Sequence, residues 1–213
     1  MPHTPASNLR RAAAGASLIA GPALLLTSSV ARFAFGLLDA WYQTMKLSFF
    51  FFAVGALGLV HLLRGRADGS GHAGGALTLA GCLSGASIVT AAYINERLSG
   101  AVPLERLEGL YLTIVNSPLP GLFFPIGLLV LAVALTRKKV IPAWAGLLFA
   151  TGAVLFPVGR IPGLVWAIFA CDVLLTISLG YAGARVLAMT ADEWERAPAA
   201  AAAEPVAVET LAG

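Results

Sequence analysis

Residues 164–186 read LVWAIFACDVLLTISLGYAGARV, an apolar run of membrane-spanning length that contains one carboxylate, Asp172. At the 1.5 Å rise of an α-helix, about 20 such residues cross the roughly 30 Å hydrocarbon core of a bilayer. A carboxylate near the centre of such a helix costs about 2.5–3.5 kcal/mol and therefore faces other protein or a wet cavity. This stretch predicts a transmembrane helix and marks Asp172 as a candidate functional residue.

The rest of the chain has the same composition. Of its 213 residues, 58% are hydrophobic and 12% are charged, against about 45–50% and about 25% in soluble domains. The apolar runs lack the in–out alternation of a lipid-facing β-barrel. The predicted fold class is an all-α integral membrane protein whose six-helix transmembrane bundle spans residues 12–31, 45–63, 73–95, 119–136, 142–158 and 164–186.

One membrane domain, at 12–188, is predicted between two polar ends, at 1–11 and 189–213. Both ends are predicted to be disordered and cytoplasmic, and the second has a low-complexity composition rich in alanine and proline. A cleaved signal peptide is an open alternative for the N-terminus, because Arg10 and Arg11 precede an apolar run that ends in small residues at Ala31. Cleavage there would leave five helices.

A short interfacial helix is predicted in the longest connection, between the third and fourth spans. Apolar residues recur at helical spacing from Leu104, while Glu105, Arg106 and Glu108 occupy the opposite side. This is the pattern of a helix that lies on a membrane surface. Pro118 and a second proline two residues later then break regular helix, so unpaired carbonyls at 113–117 are expected to face protein or a wet cavity.

Basic residues are distributed unequally between the two sides of the predicted bundle. Nine of the 14 lysines and arginines flank one side: Arg10, Arg11, Arg64, Arg66, Arg137, Lys138, Lys139, Arg185 and Arg196. The other side holds Arg32, Lys46, Arg97, Arg106 and Arg160. Because Lys and Arg are enriched in cytoplasmic loops, both termini are predicted to be cytoplasmic, in a plasma or inner membrane. The distribution leaves no basic patch for nucleic acid.

Small residues on two spans predict close helix packing. Gly81 and Gly85 form a G-x-x-x-G pair in the third span, which is therefore expected at the centre of the bundle. In the sixth span, four-residue steps place Asp172, Thr176, Gly180 and Ala184 on one inward face. These two faces are also candidate surfaces for homo- or hetero-oligomers. Asp172 is either a ligand or proton site, or a structural carboxyl that is hydrogen-bonded to a Ser or Thr of the third span.

The remaining polar candidates lie toward the outer side and together predict an outward-opening polar vestibule over an apolar bundle. Interrupted membrane helices, such as the proline-rich fourth span, mark binding sites in transporters. The candidate catalytic residues are Asp172 and Glu96. The candidate ligand-binding residues are Asp39, Trp41, Tyr93, Asn95, Asn116, Arg160, Trp166 and Thr176.

No metal or cofactor is predicted, because several cofactor chemistries lack their residues. Haem between helices needs paired histidines, whereas His61 alone lies near a span, and no lysine lies within a span interior for a retinal-type Schiff base. The sequence has no C-x-x-C, no zinc-type ligand cluster and no P-loop. Cys82 and Cys171 fall inside spans and are interpreted as small buried residues, although a disulfide between them stays open.

Three classes of function remain open. The first is binding or transport of a small, partly apolar solute, with Asp172 as counter-charge or proton carrier. The second is a cofactor-independent membrane enzyme that acts on a lipid or isoprenoid-like substrate, with Asp172 or Glu96 as general acid. Its pocket would be lined by Trp41, Tyr93, Tyr111 and Trp166. The third is a non-catalytic membrane assembly partner.

Overall fold

The computed structural model describes residues 5–64, 69–98 and 118–196, and the regular structure in these ranges is helical. The helices are α1 (Pro5–Phe33), α2 (Leu38–Leu63), α3 (Ser70–Leu98), α4 (Pro118–Arg137), α5 (Ala143–Arg160), α6 (Val165–Ala188) and the short α7 (Ala191–Arg196). Five of them, α1, α2, α3, α5 and α6, are long and apolar enough to cross a membrane. The all-helical class is therefore confirmed for these residues.

The predicted fourth span, at 119–136, and the predicted interfacial helix are the two elements that are not confirmed. The described apolar stretch of α4, Gly121–Arg137, is shorter than a full span, so the count of six spans stays a prediction. The interfacial helix predicted from Leu104 onward lies outside the described residues.

The six long helices form a closed ring. Each packs against the next helix along the chain, and α6 returns to pack against α1. Short connections favour such antiparallel neighbours, and Gly36 (φ +66°) and Gly163 (φ +74°) supply left-handed backbone in the α1–α2 and α5–α6 turns. One end of the ring therefore gathers the last turns of α1, α3 and α5 with the first turns of α2 and α6. We call it the Arg160 end.

A cluster of four phenylalanine rings fills the middle of the ring, and we call it the phenylalanine cluster. The ring of Phe124, from α4, makes edge contacts with Phe49, Phe52 and Phe156, with centroids 5.2, 5.1 and 4.9 Å away. Phe124 is only 1% exposed. Edge-on aromatic pairs at 4.5–7 Å are favourable beyond the area that they bury, so this cluster joins α2, α4 and α5 across the ring.

The third helix is not central, in contrast to the prediction. α3 occupies one position in the ring, between α2 and α4, and Leu83 on its outer surface is exposed. The predicted close approach at its glycines is confirmed. A Cβ at Gly81 would overlap the backbone of Phe124, and one at Gly85 would overlap the Phe49 ring. Small residues thus mark the crossings of α3 with its two neighbours, which does not require a central helix.

Gly81→Ala is expected to lower the free energy of unfolding by about 1–3 kcal/mol, because the added methyl would force α4 away from α3. Gly180→Ala is the matched control, since nothing lies within 4 Å of a Cβ there and alanine favours helix. We expect the control to be neutral or slightly stabilising in titrations with sodium dodecyl sulfate followed by circular dichroism. Equal losses in both variants would contradict the close crossing at Gly81.

The inward face of α6 differs from the face predicted by four-residue steps. Asp172 is buried, but Thr176 and Gly180 are half-buried and Ala184 is exposed. With 3.6 residues per turn, each four-residue step rotates the side chain by about 40°, so the predicted face leaves the interior after one turn. The buried residues further along α6 are Leu175, Ser178, Leu179, Ala182, Gly183 and Val186.

The beginning of the predicted disordered tail carries a folded helix, α7. Thr190 Oγ1 accepts a hydrogen bond from the Glu193 N–H at 3.2 Å, and Glu193 Oε2 accepts one from the Thr190 N–H at 2.6 Å. This reciprocal pair is a capping box. The Thr190 N–H is the main cause that lowers the pKa of Glu193. Trp194 is buried and stacks on His61 with ring centroids 4.3 Å apart, which holds α7 against the bundle.

Candidate ligand-binding site

Asp172 is completely buried and both of its carboxylate oxygens accept a hydrogen bond. The Ser29 hydroxyl of α1 donates to Oδ2 at 2.5 Å, and Arg160 Nη2 of α5 donates to Oδ1 at 2.7 Å. The predicted structural alternative, a tie to α3, is therefore corrected, because the hydroxyl partner belongs to α1. Closure of the ring brings α1 and α5 to opposite flanks of α6, so this carboxylate joins three helices.

Arg160 connects the buried carboxylate to the end of the ring. Its guanidinium carbon lies 4.2 Å from the centroid of the Phe156 ring, and Nη1 lies 3.7 Å from Cys171 Sγ. The Arg160 side chain is 16% exposed, whereas Asp172 is wholly enclosed. A buried ion pair is maintained only where its geometry and remaining hydrogen bonds are good. The charge of Arg160 is therefore neutralised by Asp172, and its guanidinium lies between the buried carboxylate and the end of the ring.

A cavity of about 360 Å³ lies inside the ring at the Arg160 end. Its volume falls in the roughly 300–1,000 Å³ range of small-molecule sites. Met45 and Arg160 line it, and Phe49 and Phe156 follow one helical turn deeper, so the phenylalanine cluster lies below the cavity without lining it. The lining residues are Ser29, Arg32, Phe33, Trp41, Met45, Ile88, Val89, Ala92, Arg160, Gly163 and Ile168.

A second, more open polar cluster lies beside the cavity, between α2 and α3. Arg97 forms an exposed ion pair with Asp39. The Tyr42 hydroxyl donates to Glu96 Oε2 at 2.7 Å, and the Tyr42 and Tyr93 rings meet edge-on with centroids 5.2 Å apart. These residues line a recess of about 600 Å³. The predicted polar residues of the outer side therefore form two neighbouring groups, one around Asp39 and Glu96 and one around Asp172.

The structure separates the predicted site residues into three sets. Arg160 and Trp41 line the cavity and Asp172 lies behind Arg160, whereas Asp39, Tyr93 and Glu96 belong to the second cluster. Trp166 is 65% exposed and lines neither of these two cavities. The Thr176 hydroxyl donates to the Asp172 carbonyl at 2.7 Å within α6. The side chain of Asn95, and Asn116 altogether, lie outside the described residues.

Sequence reasoning missed three contributors to these sites: Ser29, Arg32 and Tyr42. Ser29 is one of the small residues before Ala31 that were interpreted as a possible cleavage site, although a hydroxyl near the end of an apolar span is also a possible partner for a buried carboxylate. Arg32 was counted among the basic residues of the outer side but not among the candidate ligand-binding residues. Spacing along the chain gives no signal for the contact between Ser29 and Asp172, because it depends on how the ring closes.

Other chemistry is limited in the described ranges. No group of three His, Cys, Asp or Glu side chains comes together there as a metal site. Cys82 and Cys171 are both buried and free, so the disulfide that the sequence left open is absent. Comparisons of the chain with protein-family models, with curated proteins and with solved structures find no match. The function is therefore inferred from the geometry of the site.

Proposed function

We propose that the chain is a multi-pass membrane protein that binds or moves a small, partly apolar solute through the cavity at the Arg160 end. The observation that carries this proposal is an apolar-walled cavity of about 360 Å³ that meets the buried Asp172–Arg160 pair. Ligand sites are mostly apolar with a few placed polar groups, and ionisable residues inside membrane helices typically mark solute or ion pathways.

Asp172 acts in this proposal as the counter-charge that holds Arg160 at the cavity. The carboxylate is fixed by Ser29 on one oxygen and by Arg160 on the other. An arginine held in this way keeps its position at the cavity without a solute, so less ordering is needed when a solute binds. The pair therefore provides a pre-organised polar point in an otherwise apolar space.

The two other classes of function receive less support from the geometry. General acid catalysis by Asp172 is disfavoured because Ser29 and Arg160 occupy both of its carboxylate oxygens. Glu96, the alternative acid, accepts a hydrogen bond from Tyr42 in the second cluster. An assembly partner that docks on Gly81 of α3 or Gly183 of α6 would compete with the chain itself, whereas Gly180 of α6 is open. A Cβ at Gly81 would overlap α4, and one at Gly183 would overlap α1. Oligomers through the exposed surface of α3 or α6 stay a prediction.

The proposed location is a plasma or inner membrane with both termini in the cytoplasm, so the cavity opens away from the cytoplasm. The charge distribution along the sequence supports this orientation, because nine of the 14 basic residues belong to the side that the sequence predicts to be cytoplasmic. The half-buried ring of Trp41 at the Arg160 end, and the exposed Trp166, are typical of aromatic residues near a membrane interface.

Tryptophan quenching by brominated amphiphiles tests the site. A variant that keeps Trp41 alone among the four tryptophans reports on the cavity wall, and a variant that keeps only Trp166 is the matched control. We expect at least one bromodecyl compound to quench Trp41 saturably in nanodiscs, because binding sites are limited in number. Trp166 should be quenched in linear proportion to the compound in the bilayer. Linear quenching of Trp41 by every compound would contradict a solute site.

A further inference from the structure

The cavity at the Arg160 end carries unbalanced positive charge. Two arginines line it, Arg32 and Arg160. The charge of Arg160 is offset by Asp172 at 2.7 Å. Arg32 makes no ion pair with a carboxylate in residues 5–64, 69–98 and 118–196. Its guanidinium carbon lies instead 4.0 Å from the centroid of the Trp41 ring and 5.6 Å from that of Phe33.

The environment of Arg32 positions its charge and leaves its hydrogen-bonding capacity unused. A cation over an aromatic face is held by the ring quadrupole. A guanidinium also carries five N–H donors, and those of Arg32 make no hydrogen bond within the described part of the chain. Arg32 is half-buried, so bulk water compensates its donors less than it would on a free surface. The donors are available to a group that enters the cavity.

The other charged groups around the cavity leave this positive balance in place. Lys46, next to the lining residue Met45, has its ammonium 5.2 Å from the centroid of the Tyr93 ring. The nearest acidic residues of α2 and α3 are engaged elsewhere: Asp39 pairs with Arg97, and Glu96 accepts from Tyr42. Neither acidic residue lines the cavity. The site therefore has a net positive charge at its polar edge and apolar walls.

We infer that the ligand of this cavity is an amphipathic anion and that Arg32 binds its carboxylate or phosphate group. The inference deepens the proposed function and rests on it. Guanidinium matches both anions through paired N–H···O bonds, and Met45, Ile88 and Ile168 offer an apolar wall to the rest of the molecule. A cationic amphiphile would bring like charge to Arg32, and a neutral one would leave its charge uncompensated.

Three bromodecyl compounds that differ in their head group test this inference on the protein with Trp41 as its one tryptophan. They are bromodecanoate, bromodecanol and bromodecyltrimethylammonium, each titrated into nanodiscs of zwitterionic phosphatidylcholine and corrected for its partitioning into the bilayer. We expect an apparent Kd for bromodecanoate at least tenfold lower than for the other two, which corresponds to about 1.4 kcal/mol, because a hydrogen bond between charged groups contributes at least that much.

The arginine variants identify the residue responsible. Arg32→Gln should abolish the preference for the anion, whereas Arg32→Lys should keep part of it because the charge remains. Arg185→Gln is the matched control, since Arg185 also lies beside an aromatic residue, Tyr181, but at the opposite end and outside the cavity. The control should keep the full preference. Circular dichroism and unchanged binding of bromodecanol verify that Arg32→Gln retains the fold and the cavity.

The outcomes distinguish this inference from the proposed function. Saturable binding without a preference for the anion, or a preference that survives Arg32→Gln, overturns the inference and leaves the solute site intact. Linear quenching by all three compounds overturns both. Nanodiscs that contain anionic phosphatidylglycerol then assign the source of the anion. If phosphatidylglycerol weakens the binding of bromodecanoate, the occupant is a lipid head group. If the binding of bromodecanoate is unchanged, the occupant is a free amphipathic acid. Either result supports an anionic ligand.

Discussion

Replacing Arg160 with glutamine is expected to lower the free energy of unfolding by about 3–5 kcal/mol, because it leaves a buried carboxylate without its cation. Asp172 is fully enclosed, and Ser29 supplies one neutral donor that cannot balance its charge. Titration with sodium dodecyl sulfate in mixed micelles, followed by circular dichroism, measures the change.

The partner substitutions make this prediction specific to the ion pair. Asp172→Asn should destabilise less than Arg160→Gln, because the Arg160 side chain is already 16% exposed and its long stem can carry the charge toward water. The double variant should recover most of the loss, since it buries no unpaired charge. Arg97→Gln is the control, because it removes an exposed ion pair with Asp39 and should have little effect. Equal effects of Arg160→Gln and Arg97→Gln would contradict a buried pair.

The sequence was sufficient to predict the five helices of membrane-spanning length, because hydropathy and helix length are properties of local segments. The predicted span at 164–186 agrees with the observed α6, Val165–Ala188, to within two residues at each end. Asp172 is buried, as a carboxylate within a membrane-length segment should be. The approach of another backbone at Gly81 was equally predictable, since small residues permit it. Each of these conclusions needs only one segment.

The partners of Asp172 could not be predicted, because they depend on contacts between distant segments. Ser29 is 143 residues away along the chain and reaches Asp172 only when α6 closes the ring against α1. The expectation of a central third helix also led to the prediction that the hydroxyl partner of Asp172 belongs to α3, whereas it belongs to α1. In a closed ring each helix has two neighbours, and the sequence does not state which helices close it.

The orientation of α6 and the fold of α7 were mispredicted for local reasons. Four-residue steps drift around a helix of 3.6 residues per turn, so Asp172 indicated the inward face correctly whereas Ala184 did not. For α7, the low-complexity composition of the tail favoured a prediction of disorder, although the segment also contains a helix-capping pattern. Thr190 and Glu193 have the spacing of a capping box, and Trp194 follows at once as the residue that anchors the helix.

Replacing Phe124 with alanine is the second large effect that we expect, because its ring is the centre of the phenylalanine cluster. The side chain is 1% exposed and touches rings from α2 and α5. In water-soluble cores such a change costs about 3–5 kcal/mol. Separated membrane helices are already surrounded by apolar chains, so the loss should be on the order of 2 kcal/mol, mainly from missing packing contacts.

Phe50→Ala is the matched control for that change. Phe50 is a neighbouring phenylalanine of α2, but it is 62% exposed on the outside of the ring. Its removal should change the free energy of unfolding little, measured by the same detergent titration. A comparable loss in the two variants would show that the cluster does not pack as the structure describes.

The Phe124 variant also tests whether the cluster limits the depth of the proposed ligand site. Removing this ring extends the cavity toward the middle of the bundle, so a brominated acid with a longer chain should gain affinity relative to bromodecanoate. Quenching of Trp41 by the two acids measures the shift, with Phe50→Ala again as control. An unchanged chain-length preference would mean that the apolar part of the solute extends along another direction, between the helices and toward the lipid.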